Sequence, residues 1–188
     1  MTEREVLQIF RDTQALLDGH FLLRSGLHSR QYFQCALVLQ HPLIAERLCG
    51  ELADKLKPTA PQTVISPAMG GLFIGHEVAR ALNTRHIFVE KNASGKLELR
   101  RSFQVAPREK MVVVEDVITK GGRVRETVDI VRALGGEVVG IGALVDRSGG
   151  NVSLGVPLES LLQFQIETFD PAVCPLCQAG IPLVKPGS

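Results

Sequence analysis

The chain has 188 residues, 45% of them hydrophobic and 22% charged, with a net charge of +1. That length can bury about 70% of the unfolded surface in one domain without disulfide staples. The near-neutral balance excludes a general polyanion-binding surface, so no nucleic-acid partner is expected and any anion site must be local. The N-terminal MTEREVLQIF is charged where a secretion signal needs an apolar run, and no stretch approaches the 18 or so apolar residues of a membrane span. A soluble cytoplasmic protein with no membrane partner is therefore expected.

Residues 4–17 (REVLQIFRDTQALL) carry apolar side chains at 6, 9, 10, 16 and 17, a helical spacing. Residues 20–39 (HFLLRSGLHSRQYFQCALVL) have short apolar runs broken by Ser-Gly, which suits strands and turns. Residues 42–57 form a second amphipathic helix ended by Pro58. TVISPAMGG (63–71) is a buried strand entering a Pro/Gly loop, followed by a helix over 72–82 and a strand over 86–90. KNASGK (91–96) is a polar loop, expected to be mobile and to close over the site, and LELRRSF (97–103) alternates like a short strand. MVVVEDV (111–117) is a strand. Residues 122–134 form a helix with an apolar stripe at Val124, Val128, Val131 and Leu134, closed by Gly135-Gly136. EVVGIGALVD (137–146) is another strand.

This alternation predicts a single α/β domain with a central, mostly parallel sheet flanked by helices, its strands near-continuous Val/Ile runs because both faces are covered. Such sheets bind ligands at the carboxyl ends of their strands. Four loops fall there: SPAMGG, EKNASGK, EDVITKGGR and DRSGG. The turn Thr119, Lys120, Gly121, Gly122 and Arg123 joins a strand to a helix N-terminus, where backbone N–H groups and the helix dipole favour a phosphate. Glu115 and Asp116 precede it. Paired carboxylates near an apolar core need partners, and vicinal sugar hydroxyls supply donors, so phosphate plus diol suggests a ribose 5-phosphate. Two plainer readings stand beside this one: an ordinary strand-to-helix turn, and a surface ion pair of the carboxylates with Arg123 or Arg125. Cys174 and Cys177 form one C-x-x-C, with neither a second such pair nor two tightly spaced histidines. Reduced thiols in a terminal turn are expected there, with metal shared across a dimer interface as the alternative. His20, His28, His41, His76 and His86 match no catalytic or metal motif and are expected to be structural or surface residues.

VVVEDVITKGGR (112–123) resembles the phosphoribosyl-pyrophosphate-binding motif of the type I phosphoribosyltransferases, with Lys120 where a small residue is usual. FLLRSGLHSRQYF resembles the N-terminal signature of the orotate phosphoribosyltransferases, SPAMGGLFIG their pyrophosphate loop, FVEK the start of their catalytic loop, and ALVDRSGG their stretch with an orotate-binding arginine. CPLCQAGIPLVKPGS resembles the tail of one bacterial branch. The resemblance runs in family order from about residue 20 onward. It implies the type I phosphoribosyltransferase fold, with a small hood over about 1–40 plus the C-terminal segment and a core over about 41–165. It also implies transfer of a phosphoribosyl group from phosphoribosyl pyrophosphate (PRPP) to orotate, with Mg²⁺ as cofactor held mainly through PRPP, Asp116 being a candidate protein ligand. A homodimer lending its 91–101 loop across the interface is implied too.

By the same resemblance, Lys91 and Asp116 act in catalysis. PRPP is held by Ser66, Ala68, Met69, Gly70, Gly71 and Lys91 together with Glu115, Asp116, Val117, Ile118 and 119–123. Orotate meets Arg147, Thr119, Arg24, Tyr32 and Phe33. Phe33 can equally be core, Arg24 solvated, and Arg147 ion-paired with Asp146. The loop is shorter than in many members and has no histidine, so Lys96, Arg100 and Arg101 are candidates by charge alone. A purine or xanthine phosphoribosyltransferase and a PRPP-sensing regulator are the competing functions.

Overall fold

A computed structural model describes residues 1–186. Helix α1 (Glu3–Asp12) opens with a capping box, Thr2 and Glu5 each bonding the other's backbone amide. It is shorter than the apolar spacing predicts. Thr13 caps it, Gln14 takes φ 55°, and Leu16–Leu22 becomes strand β1. Strand β2 (His28–Phe33) pairs antiparallel with β1, and a short strand, Thr168–Phe169, adds to β2's other edge. The CALVL run expected as strand is helix α2 (Cys35–Leu39), which buries Cys35, Val38 and Leu39 at helical spacing.

Helix α3 (Pro42–Leu56) leads to β3 (Thr63–Pro67), α4 (Gly71–Leu82), β4 (Arg85–Lys91), β5 (Leu97–Leu99), β6 (Lys110–Ile118), α5 (Gly122–Ala133), β7 (Glu137–Asp146) and β8 (Leu158–Gln163). The large sheet has the order β5-β4-β3-β6-β7-β8, parallel throughout except for β5. Alternate residues of β6 enter opposite layers. Val112 and Val114 pack with α3 and α4, while Met111 and Val113 pack with Val124, Val128 and Val131 of α5. That is why the valine run is unbroken.

The polar loop expected at 91–96 is the tight turn of a hairpin. Lys91 pairs with Leu97, and the Asn92 side chain accepts from the Ser94 and Lys96 amides. The strand predicted over 97–103 stops at Leu99, and Arg101 and Ser102 take φ of 60° and 58°. The segment Thr168–Phe169 is strand β9, and Pro175–Gln178 is a one-turn helix, α6. No helix among the described residues is long and apolar enough to cross a membrane. Gly187 and Ser188, the end of the tail stretch, lie outside the described residues.

Candidate active site

Strand order reverses between β3 and β6: β4 lies on one side of this pair and β7 on the other. Loops diverge at such a switch point and leave a crevice at the strands' carboxyl ends. Here the loop after β3 meets the end of β6. A Cβ on Gly70 would lie 2.9 Å from an Asp116 carboxylate oxygen, so glycine is what lets loop and carboxylate touch. Ala68 and Met69 line a cleft of about 450 Å³ together with Glu90 and Lys91 from the end of β4.

Glu115 and Asp116 are partly buried and follow the valine run. Burial raises the pKa of both, and the Asp116 charge raises that of Glu115 further. Their hydrogen bonds are local. Glu115 Oε1 accepts from the Asp116 amide at 3.2 Å, and Asp116 Oδ1 from the Val117 amide at 2.7 Å. The ion pairs considered from the sequence do not form among the described residues. Arg123 pairs instead with Glu126 at 3.1 Å, and Arg125 donates to the Ser153 carbonyl at 3.2 Å. Beyond them, Thr119 and Lys120 are exposed and Gly121 (φ 70°) precedes α5. A side chain on Gly121 would be strained by that φ and would strike Val152 at 2.8 Å. The turn thus opens on the N-terminus of a 12-residue helix, a setting suited to an anion. Ile118 contributes only backbone: its side chain is core, and its carbonyl accepts from the Arg147 amide at 2.8 Å.

That bond brings Arg147 beside the end of β6. Its Nε is buried and has no hydrogen-bond partner among the described residues. Burial lowers its pKa, a tendency opposed by Tyr32 and Cys35. Burial raises the Tyr32 phenol, and the Asp116 charge pushes the same way. Tyr32 therefore lies within electrostatic reach of both Asp116 and Arg147. Asp146 does not pair with Arg147 among the described residues. It accepts from the Ser148 amide at 2.7 Å.

Two expected contacts fall elsewhere. Phe33 is core, edge-on to Phe10 at 5.4 Å and to Phe164 at 5.3 Å. Strand alternation turns it to the face opposite Tyr32. Ser66 is fully buried under α4, its hydroxyl 2.8 Å from His86 Nε2, so it does not reach the cleft. Arg24 sits exposed in the β1–β2 turn. Among the loop cations, Arg101 grips Glu90 with two bonds of 2.8 and 3.0 Å and Arg100 approaches it at 3.9 Å, next to Lys91, while Lys96 lies exposed in the hairpin turn. Of the residues expected to be structural or at the surface, His20 and His28 lie inside the protein, as does Cys174 of the C-x-x-C, which is a free thiol. All three are buried, and their ligand atoms lie with Cys177 Sγ within 4.8 Å of one another.

Residues 38–154 match the family described as the phosphoribosyl transferase domain. The chain is similar along its whole length to orotate phosphoribosyltransferases of Desulforamulus reducens (55% identical, covering 98% of that protein) and Caldicellulosiruptor bescii (53% identical, again 98%). Among solved structures, it resembles an orotate phosphoribosyltransferase from Aeropyrum pernix, with a TM-score of 0.72 and 25% identity over 85% of this chain and 93% of that one. An adenine phosphoribosyltransferase from Thermoanaerobacter pseudethanolicus shares the fold with a TM-score of 0.64 at 19% identity, over 71% of this chain and 88% of that one.

Proposed function

The chain belongs to the phosphoribosyl transferase domain family, among its orotate phosphoribosyltransferases, and on that premise we propose that it transfers the 5-phosphoribosyl group of PRPP to orotate, giving orotidine 5′-monophosphate and pyrophosphate. The reading rests on one observation: the buried Nε of Arg147, without a hydrogen-bond partner among the described residues, stands on the same sheet edge as two carboxylates whose pKa burial raises. A planar acid and a ribose diol supply the two complements. The orotate carboxylate meets the Arg147 guanidinium, a charge-assisted pairing, and Tyr32 lines the ring. Glu115 and Asp116 accept from the ribose hydroxyls. The 119–122 turn holds the 5′-phosphate, and Ala68–Gly71 faces the pyrophosphate. Holding these non-reacting groups orients the sugar for attack by the base.

Lys91 lines the cleft beside the Glu90–Arg101 pair. A cation there stabilises the negative charge that grows on the departing pyrophosphate. The hard-oxygen donors Glu115 and Asp116, raised in pKa by burial, fit Mg²⁺, and they would hold it jointly with PRPP. When bound, the ion supplies further positive charge to the leaving group. The reaction is a step of pyrimidine (UMP) synthesis in the cytoplasm. The working unit is a homodimer whose 91–101 hairpin reaches the neighbouring site. Met69 in the cleft wall and Phe73 in the first turn of α4, 77% and 67% exposed, are apolar side chains that a second copy would cover.

Orotate absorbance with purified protein, PRPP and Mg²⁺ tests this, run in parallel with purine bases. Orotate is consumed, and Arg147→Ala raises the KM for orotate about 10- to 100-fold while PRPP binding persists. Consumption of a purine would overturn the choice of base. PRPP binding with no turnover of any base would make the protein a sensor.

A further inference from the structure

His20 lies in β1 and His28 opens β2. The register pairs Leu22 with His28, which makes the two histidines diagonal neighbours on one face of the hairpin. Both are buried, at 2% and 5% exposure. Their rings meet edge-on at 66° with centroids 4.8 Å apart. Onto this face folds the C-terminal segment, carrying Cys174 at the start of α6 and Cys177 within it. His20 Nε2 lies 2.9 Å from His28 Nδ1, 3.7 Å from Cys174 Sγ and 3.8 Å from Cys177 Sγ. His28 Nδ1 is 3.4 Å from Cys177 Sγ.

A tetrahedral zinc centre with two imidazole nitrogens and two thiolates has ligand separations of about 3.3 Å (N–N), about 3.5 Å (N–S) and about 3.8 Å (S–S), from Zn–N of about 2.0 Å and Zn–S of about 2.3 Å. The four separations above, one N–N and three N–S, fall within about 0.4 Å of these, and all four ligand atoms lie within 4.8 Å of one another. The tautomer agrees as well. His20 Nδ1 is 2.7 Å from the Ile181 carbonyl, which can only accept, so Nδ1 carries the proton. The Nε2 lone pair of the neutral ring then points at the other three ligands. Outer carbonyl partners of this kind orient metal-bound imidazoles.

We propose that His20 Nε2, His28 Nδ1, Cys174 Sγ and Cys177 Sγ bind one structural Zn²⁺, which fastens the C-terminal segment to the β1–β2 hairpin. Binding releases the two thiol protons. Two thiolates, two neutral imidazoles and Zn²⁺ sum to zero charge, so the filled centre can be buried without an unbalanced ion. Four protein ligands leave no open position, which makes the centre structural rather than catalytic. α6 is a single turn, too short to be stable alone. Beyond the pairing of β9 with β2, the segment's bonds to the hairpin include the Leu22 amide to the Val184 carbonyl and the Val184 amide to the His20 carbonyl, each 2.8 Å, and the Ile181 contact. The same hairpin carries Tyr32 to the active edge. This proposal does not depend on the reaction assigned above.

Metal content of the untagged full-length protein, dialysed against metal-free buffer and measured by inductively coupled plasma mass spectrometry, is the direct test. About one zinc per chain is expected. Cys177→Ser, checked for folding by circular dichroism, lowers zinc content at least about tenfold, whereas Cys49→Ala in α3 keeps it. Wild-type protein loaded with Co²⁺ instead shows tetrahedral d–d bands and thiolate-to-cobalt charge transfer, a readout that needs neither the variant nor activity. Wild-type protein without stoichiometric zinc and without the charge-transfer band would overturn the proposal and leave a hydrogen-bonded imidazole pair beside two free thiols. Zinc retained by Cys177→Ser at the wild-type level would place the metal elsewhere and overturn it equally.

Discussion

The two edges of the large sheet treat charge in opposite ways. Where the parallel strands begin, Arg85 donates to both oxygens of Glu109 at 2.8 and 2.9 Å, to Thr63 Oγ1 at 2.8 Å and to the Gln104 carbonyl at 2.7 Å. The Thr63 hydroxyl and the Ala106 amide also donate to Glu109. Burial alone would raise the Glu109 pKa, but these donors outweigh it and hold the group below the ordinary carboxylate range. Where the strands end, Glu115 and Asp116 are raised by burial, and Arg147 keeps a buried nitrogen without a partner among the described residues. One edge is complete without a ligand. The other holds charges that a phosphoribosyl donor and an acidic base would complete, so its groups are arranged for binding rather than for stability.

The sharpest way to break this contrast is Asp116→Asn. The amide keeps an oxygen for the Val117 N–H and removes the charge. Loss of roughly 10²- to 10³-fold in kcat/KM is expected, with Tm raised by about 2–4 °C as roughly 1 kcal/mol of buried-charge strain disappears. A lower Tm with activity kept would make Asp116 a structural group and erase the difference between the edges.

The ligand edge was readable because its parts are contiguous: a valine run, two carboxylates, a glycine turn and a helix stripe within one short stretch. The parallel architecture followed from the same local alternation. What escaped depends on contacts remote in sequence or on which face a strand residue takes. Phe33 and Tyr32 are adjacent, and a period of two sends them to opposite faces, a signal present in the sequence. Ser66 is expected at the start of the SPAMGG loop, but β3 runs on through Pro67 and buries it. The apolar spacing at Leu16 and Leu17 continues the α1 pattern, yet the cap at Thr13 and the positive φ of Gln14 end the helix first. His20 and His28 become neighbours only once the hairpin forms, and they meet the cysteines only once the far end of the chain folds back. A histidine pair flanking a hairpin turn, read together with a C-x-x-C, could have suggested that cluster.

Gly70→Ala probes the contact between the β3 loop and the ligand edge. Gly70 has φ −56°, which any residue adopts, so the change carries no backbone penalty. Its Cβ would press on the Asp116 carboxylate, with oxygens at 2.9 and 3.1 Å. A rise of about tenfold in the KM for PRPP is expected, with Tm nearly unchanged. An unaltered KM would show that the carboxylate's position does not matter to the donor. At the opposite edge, Arg85→Ala strips Glu109 of its guanidinium partner. Stability falls by about 1–2 kcal/mol, seen as a Tm lower by roughly 2–8 °C, while kcat/KM stays within about twofold. A loss of turnover at unchanged Tm would reverse the roles given to the two edges.

The finest test is the pH dependence of stability, because the edges should move it in opposite directions. Glu109, lowered in the folded state, contributes stability above the ordinary carboxylate pKa, and that contribution is lost as pH falls through its folded value. Glu115 and Asp116, raised in the folded state, cost nothing where they are protonated in both states. They destabilise the ligand-free protein as pH rises through their folded values. Thermal melts from about pH 4 to about pH 9 should therefore show a decline on each side. Glu109→Gln should flatten the acid side alone. Glu115→Gln with Asp116→Asn should flatten the alkaline side alone, as should PRPP with Mg²⁺ added to the wild type. If the double variant's profile overlays that of the wild type, the carboxylates are already satisfied without a ligand, and the two edges differ in geometry but not in charge.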